Sequence, residues 1–321
     1  ACQHRPVAEL LHVRVVATED VADAVTAAVS GDPSACNIVV MPDAARAPRG
    51  DVIMFDIARE GINQTLRALH DLGVGEHGSI SVFRADLSLS AAVDTVHERV
   101  PGEPEDTVVW DQVATNLRQS VSVRFSYIAF FVVAAVIAAA GILTDSPILI
   151  VGAMVVGPEY GPLASMAYGL ETRDTDLARR GLATFAVGTG VGIVAGFALA
   201  GAFRLFDAVP DVYEDDGRSL TAFITEPDAF SVLVAVAAAI AGTLALTHDR
   251  SGTLVGVLIS VTTIPAIADI GVGLAFWDRS EVVGAATQLA INLVCLVAVG
   301  ALTLAVLRRF TPGGDRAVWH P

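Results

Sequence analysis

The sequence predicts an α-helical polytopic membrane domain of six spans, arranged as a 3+3 inverted repeat with broken helices, behind a small α+β domain. Three observations predict it. The chain of 321 residues is 53% hydrophobic with a mean hydropathy of +0.59, too apolar for an ordinary soluble protein, and its apolar residues crowd after about residue 125. One apolar stretch long enough to cross a bilayer, 145–169, is interrupted by Gly157, Pro158, Gly161 and Pro162. A weak repetition runs through the apolar half.

The opening region, 1–88, is read as the α+β domain. LLHVRVVA (10–17) looks like a strand, and Thr18 or Asp20 can cap a helix to about Ser30 with Val21, Ala24, Val25 and Ala28 on one face. CNIVVM (36–41) is a second strand ended by Pro42, and the turn-rich DAARAPRG leads to a third, DVIMFDIA (51–58). A second helix buries Ile62, Leu66 and Leu69, glycines end it, and SISVFRA (79–85) is a fourth strand. The order β-α-β-β-α-β suits a ferredoxin-like sandwich, a fold that by itself names no activity. Residues 89–124 are expected to connect, with an amphipathic helix in TVVWDQVATNLRQS and Trp110 at a membrane interface. The membrane domain is placed at 125–310 and a tail at 311–321.

Six spans are expected, at about 125–143, 148–170, 181–206, 229–247, 253–276 and 284–307, each long enough for the hydrocarbon core. Arginine sets the orientation. Arg118, Arg124, Arg173, Arg179, Arg180, Arg250, Arg308, Arg309 and Arg316 fall on one side; only Arg204, Arg218 and Arg279 fall on the other. The positive-inside rule puts both termini in the cytoplasm of a cell-membrane protein. No secretory signal is read in the first residues.

LTDSPILIVGAM (143–154) aligns with LTHDRSGTLVGVLI (246–259), pairing Asp145 with Asp249. At a spacing shorter by one, Pro162 pairs with Pro265, Gly181 with Gly284 and Thr184 with Thr287. Three spans is an odd number, so the halves have opposite orientations. Inverted repeats with a midplane site at discontinuous helices recur among transporters.

The breaks carry the candidate chemistry. A proline inside a helix removes a backbone hydrogen bond, and broken backbone or a carboxylate persists in hydrocarbon only when buried in protein or lining a water-filled cavity. The first candidate set is Gly157, Pro158, Glu159, Tyr160, Gly161 and Pro162. The second is Thr262, Thr263, Pro265 and Asp269, and Asn292 stands on the sixth span. Glu159 reads either as an ion or proton site or as a carboxylate in a short loop near water. Threonine back-bonding competes with ligation at Thr262 and Thr263. Gln288 and Asn292, four apart, fit a structural interhelical hydrogen bond better than a substrate contact. Asp145 and Asp249 read as helix caps. Gly188, Gly192 and Gly196 form a GxxxGxxxG stripe for close helix packing, lacking the strand–turn–helix context of a nucleotide loop.

Composition removes other classes. The net charge is −15 and all 20 basic residues are arginine, which argues against nucleic acid as a partner and fits a halophilic, high-salt setting. Cys2, Cys36 and Cys295 form no disulfide or zinc framework, and His70 and His77 match no metal spacing. No Ser-His-Asp, Cys-His or P-loop arrangement is spelled out, so neither an enzyme nor a cofactor is expected.

The segment IAAAGILTDSPILIVGAMVVGPEYGP (137–162) resembles the hallmark of an uncharacterised hydrophobic-domain membrane protein family, domain of unknown function 389. The Asp-Ser pair maps to Asp145-Ser146, the Gly-Ala-Met to Gly152-Ala153-Met154, and the break to Gly157-Pro158 and Gly161-Pro162. The resemblance covers about 120–307 and implies an integral membrane protein. The sequence departs from the family pattern at Glu159-Tyr160, where apolar residues are usual, and at Gly157, where serine is frequent.

The expectation is a transporter or channel-like protein for an ion or small solute, with Glu159 and Asp269 at paired breaks. Lipid, further copies of the chain and the solute are its partners. The alternative is a non-transporting membrane sensor or scaffold whose soluble domain binds a small ligand or partner.

Overall fold

The computed structural model describes residues 10–84, 107–214, 220–221, 224–225, 228–247 and 263–310, and divides into two compact units.

In the first unit, β1 (Leu10–Ala17), α1 (Glu19–Ser30), β2 (Ala35–Arg46), β3 (Arg49–Ala58), α2 (Ile62–Asp71), the one-turn α3 (Val74–His77) and β4 (Ser79–Arg84) follow in order. The strands form an antiparallel sheet of order β2-β3-β1-β4. Period-two alternation sends Leu11, Val13, Val15 and Ala17 of β1 and Ile53, Phe55 and Ile57 of β3 to one face. There they meet Ile62, Leu66 and Leu69 of α2 and Ala22, Val25 and Val29 of α1. The α1 face matches the expected one at Val21 and Val25, but Ala24 is exposed. The second strand is also longer than expected. β2 runs through Pro42, which an edge strand tolerates, with register irregularities between Cys36 and Val39 and between Met41 and Ala45.

Part of the expected connector closes this unit. The carbonyls of Thr107 and Val108 accept from Arg59 Nε and Asn63 Nδ2, each at 2.8 Å, and Val109 enters the core. Trp110, expected at a membrane interface, is buried, with the Arg308 guanidinium 4.6 Å from its ring centroid.

The second unit is helical. It contains most of α4 (Trp110–Ser120), then α5 (Phe125–Leu143), α6 (Pro147–Val156), α7 (Tyr160–Thr172), α8 (Thr175–Leu205), the short α9 (Asp211–Glu214), α10 (Ala229–Thr247), α11 (Thr263–Phe276) and most of α12 (Arg279–Phe310). Helices α5, α8, α10 and α12 are each long and apolar enough to cross a membrane, and α6 with α7 form a pair bent by 58°. The described residues therefore hold four spans, or five with the bent pair counted as one, where six were expected. The difference lies at 253–276. Only α11, 14 residues, is described there, about 21 Å of helix and short of a full crossing; 253–262 lie outside the described residues.

The surface of this unit is apolar: Phe125, Ile148, Val194, Phe230, Val294 and Leu302 are each more than half exposed. Its interior is made of small residues that bring backbones together. A Cβ at Gly192 would stand 2.6 Å from Ile267 Cγ2, and one at Gly196 2.6 Å from the Ala268 carbonyl oxygen. Gly188 lies under Tyr127 and Phe131. The glycine stripe of α8 thus packs against α5 and α11.

Local features recur 104 residues apart. α5 begins at Phe125 and α10 at Ala229; α8 begins at Thr175 and α12 at Arg279. The turn before each long helix has the same form: Arg173 and Trp277 adopt left-handed backbone with φ of 62° and 64°. Asp174 Oδ1 then accepts from Leu177 N at 3.0 Å, as Asp278 Oδ1 accepts from Ser280 N at 2.9 Å and Glu281 N at 3.2 Å. Gly169 faces the Asp174 carbonyl and Ala178; Gly273 faces the Asp278 carbonyl and Val282. Buried Leu177, Gly181, Thr184, Gly188, Gly192, Gly196 and Ala200 of α8 fall opposite buried Glu281, Ala285, Gln288, Asn292, Leu296, Gly300 and Leu304 of α12. These features keep the spacing of 104. The pairing of Gly181 with Gly284 and of Thr184 with Thr287, at a spacing shorter by one, does not coincide with these features.

Candidate functional site: the break between α6 and α7

Helix α6 ends at Val156, Gly157 takes extended backbone (φ −64°, ψ 131°), and Glu159 is the N-cap residue of α7. Pro158 has no N–H to continue α6, so the ladder stops there. Pro162 is tolerated inside α7 because the first turn of a helix has no use for its N–H groups.

The residues of the break turn to different neighbours. A Cβ at Gly157 would meet Glu159 Oε2 and stand 2.5 Å from Ile264 Cγ1, in the first turn of α11. The carboxylate therefore lies where the break meets α11. Glu159 is 2% exposed, and among the described residues its Oε2 has no hydrogen-bond partner. Tyr160 points elsewhere: with Leu163, Ala164 and Ala167 it lines an apolar crevice completed by Ala239, Thr243 and Leu246 of α10 and Leu296 and Leu304 of α12. Gly161 faces Ser120 of α4, and the Pro162 carbonyl faces Gly181 of α8. Of the six residues expected at this break, Gly157 and Glu159 turn to the α11 junction; Tyr160, Gly161 and Pro162 serve packing.

On α11, Thr263 is the first described residue, 1% exposed, and among the described residues its Oγ1 has no partner. Pro265 follows two residues on and is itself buried. Asp269, also 1% exposed, lies about one turn further, beside the Ala268 that packs on Gly196. Thr262 and Asp249 lie outside the described residues. Gln288 Nε2 donates to Asn292 Oδ1 at 3.3 Å along α12 itself, and both side chains are buried.

Asp145 corrects another expectation. Ser146, not Asp145, occupies the N-cap of α6. Asp145 has φ of 48°, and its carboxylate accepts from Leu220 N at 3.2 Å, Thr221 N at 2.9 Å and Thr221 Oγ1 at 2.8 Å. It holds the segment before α10.

Ile264 and Tyr127 near the break, and Glu281 farther off, stood outside the candidate residues. Ile264 closes over Gly157. Tyr127 of α5, packed against Gly188, donates its hydroxyl to the Thr184 carbonyl at 3.0 Å. Farther along, buried Glu281 accepts from the Tyr213 hydroxyl at 2.8 Å. An aromatic at a helix start and an isoleucine beside a proline carry no sequence mark of a site. Among the described residues no group of three or more His, Cys, Asp or Glu is placed to share a metal ion.

Fold and site define a class: a multi-span helical membrane protein with a bent span and a buried carboxylate at the bend. The resemblance read from the hallmark segment holds, for the family model of a domain of unknown function, DUF389, matches residues 154–298. An uncharacterized protein of Methanocaldococcus jannaschii is 24% identical over 182 residues, covering 55% of this chain and 54% of that protein, so the match spans about half of the relative. No solved structure matches the chain.

Proposed function

We propose that the protein is a transporter or channel-like passage for an ion or small solute, whose site lies where the α6–α7 break meets the first turn of α11. The observation that carries this reading is the Glu159 carboxylate, 98% buried in a bend between apolar helices and there without a hydrogen-bond partner among the described residues. A polar group costs free energy in such a place unless function retains it. Asp269 adds a second buried carboxylate on α11.

The recurrence at 104 residues supports an inverted repeat of three spans in each half. Helix starts, left-handed turns, caps and buried stripes recur together, whereas chance similarity between apolar helices would repeat composition alone. In this reading Glu159 and Thr263 are counterparts. The protein sits in the cell membrane with both termini cytoplasmic, associates with further copies, and performs no covalent chemistry.

The test is solute flux into proteoliposomes holding the full chain, with Glu159→Gln and Asp269→Asn. Loss of flux in Glu159→Gln, with the protein still folded, supports the site. Flux that neither substitution alters removes it.

A further inference from the structure

The charge of Glu159 has to be balanced, and the spans contain nothing to balance it. No Arg, Lys or His occurs in 125–172, 182–203, 229–247, 251–278 or 280–307. A bare carboxylate in a low-dielectric interior is strongly disfavoured unless a counter-charge or a proton neutralises it. Two kinds of visitor can do so, a metal cation or a proton.

The surroundings favour the proton. Metal cations such as calcium and magnesium take about six or more oxygen ligands. On the Gly157 side, Glu159 Oε2 and the aliphatic carbons of Ile264 converge on one space, and among the described residues no hydrogen bond reaches this oxygen. The titratable groups on the packed elements are few. Tyr127 of α5 already donates to the Thr184 carbonyl, Tyr160 of α7 is turned to Gly242 and the crevice, Asp269 of α11 is acidic, and the buried stripe of α8 brings none. A proton requires no oxygen cage. It removes the charge where the carboxylate already is.

We propose that Glu159 is a proton-exchange site, so that passage through the break is coupled to uptake and release of one proton by this carboxyl group. The inference rests on the transport reading of the break and names its coupling ion.

The test uses the full chain in phosphatidylcholine vesicles treated with dicyclohexylcarbodiimide, an apolar reagent that adds to protonated carboxyl groups inside a bilayer, with adducts mapped by mass spectrometry. The expected result is an adduct on Glu159, absent from Glu159→Gln. Its rate falls by about tenfold per pH unit once ionisation dominates, and replacing choline by sodium or potassium leaves it unchanged. Protection by sodium or potassium at constant pH overturns the proposal in favour of a metal cation, and absence of a Glu159 adduct at acid and neutral pH overturns it outright. Labelling needs no cargo. A titrating adduct without flux removes the transport reading alone; flux without a titrating adduct removes the proton alone.

Discussion

Gly157 and Ile264 approach so closely that a Cβ at position 157 would stand 2.5 Å from Ile264 Cγ1, while its other side is filled by Glu159 Oε2. The glycine and the glutamate therefore form one arrangement. The resemblance places serine or apolar residues at these positions; here the carboxylate takes the space that a side chain at 157 would occupy.

That arrangement predicts a coupling. Gly157→Ala should destabilise the protein by about 1–3 kcal/mol, the usual cost of overpacking. Glu159→Ala in the same chain should recover part of the loss, and Ile264→Ala the rest, because residues in contact are not additive. Thermal unfolding in detergent reads the series. Equal losses for Gly157→Ala with and without Glu159 would disprove the shared space.

The α8 glycines separate by what they face. Gly196→Ala would push a methyl group 2.6 Å from the Ala268 carbonyl oxygen, backbone that has no rotamer with which to retreat. Gly190→Ala and Gly201→Ala meet nothing within 4 Å. The first should lower the midpoint of unfolding markedly; the other two should leave it level or raise it slightly, since alanine is the better helix former by about 1 kcal/mol.

These contrasts show what the sequence carried. Span ends at 143 and 247, the buried Ile62, Leu66 and Leu69, and the broken span itself were legible, because each depends on local periodicity or on a residue that interrupts it. The direction in which each break residue points was not. Tyr160 faces α10 while Glu159 faces α11, a matter of which helices surround the bend. The shared turn at Arg173 and Trp277 was not legible either, because the two residues are unlike in type.

In the first unit, burial and then the neighbouring Asp56 hold the Cys36 thiol above its ordinary range. Alkylation proceeds through the thiolate, and a raised value leaves less thiolate at neutral pH. Cys36 should therefore react slowly with iodoacetamide at neutral pH and accelerate only at alkaline pH. Asp56→Asn should shift that rise modestly toward neutrality by removing the smaller cause. A Cys36 that reacts at neutral pH like a free thiol would contradict both.

Asp145 supplies the most local test of the second unit. Its carboxylate holds Thr221 twice, through the backbone N–H at 2.9 Å and the hydroxyl at 2.8 Å, and Leu220 N at 3.2 Å. Hydrogen bonds to a charged acceptor contribute about 1.5–3 kcal/mol each, less where water competes, and Thr221 is buried. Asp145→Ala should loosen the segment before α10 and expose it to protease, with a fall in the unfolding midpoint. Thr221→Val removes one bond of the set and should cost less. The double variant should cost about as much as Asp145→Ala alone, because the valine then has no acceptor left to lose. Were Asp145 a helix cap instead, Thr221→Val would be silent and the two changes would simply add. The measured non-additivity therefore decides between a capping aspartate and one that ties the start of α6 to the chain entering α10.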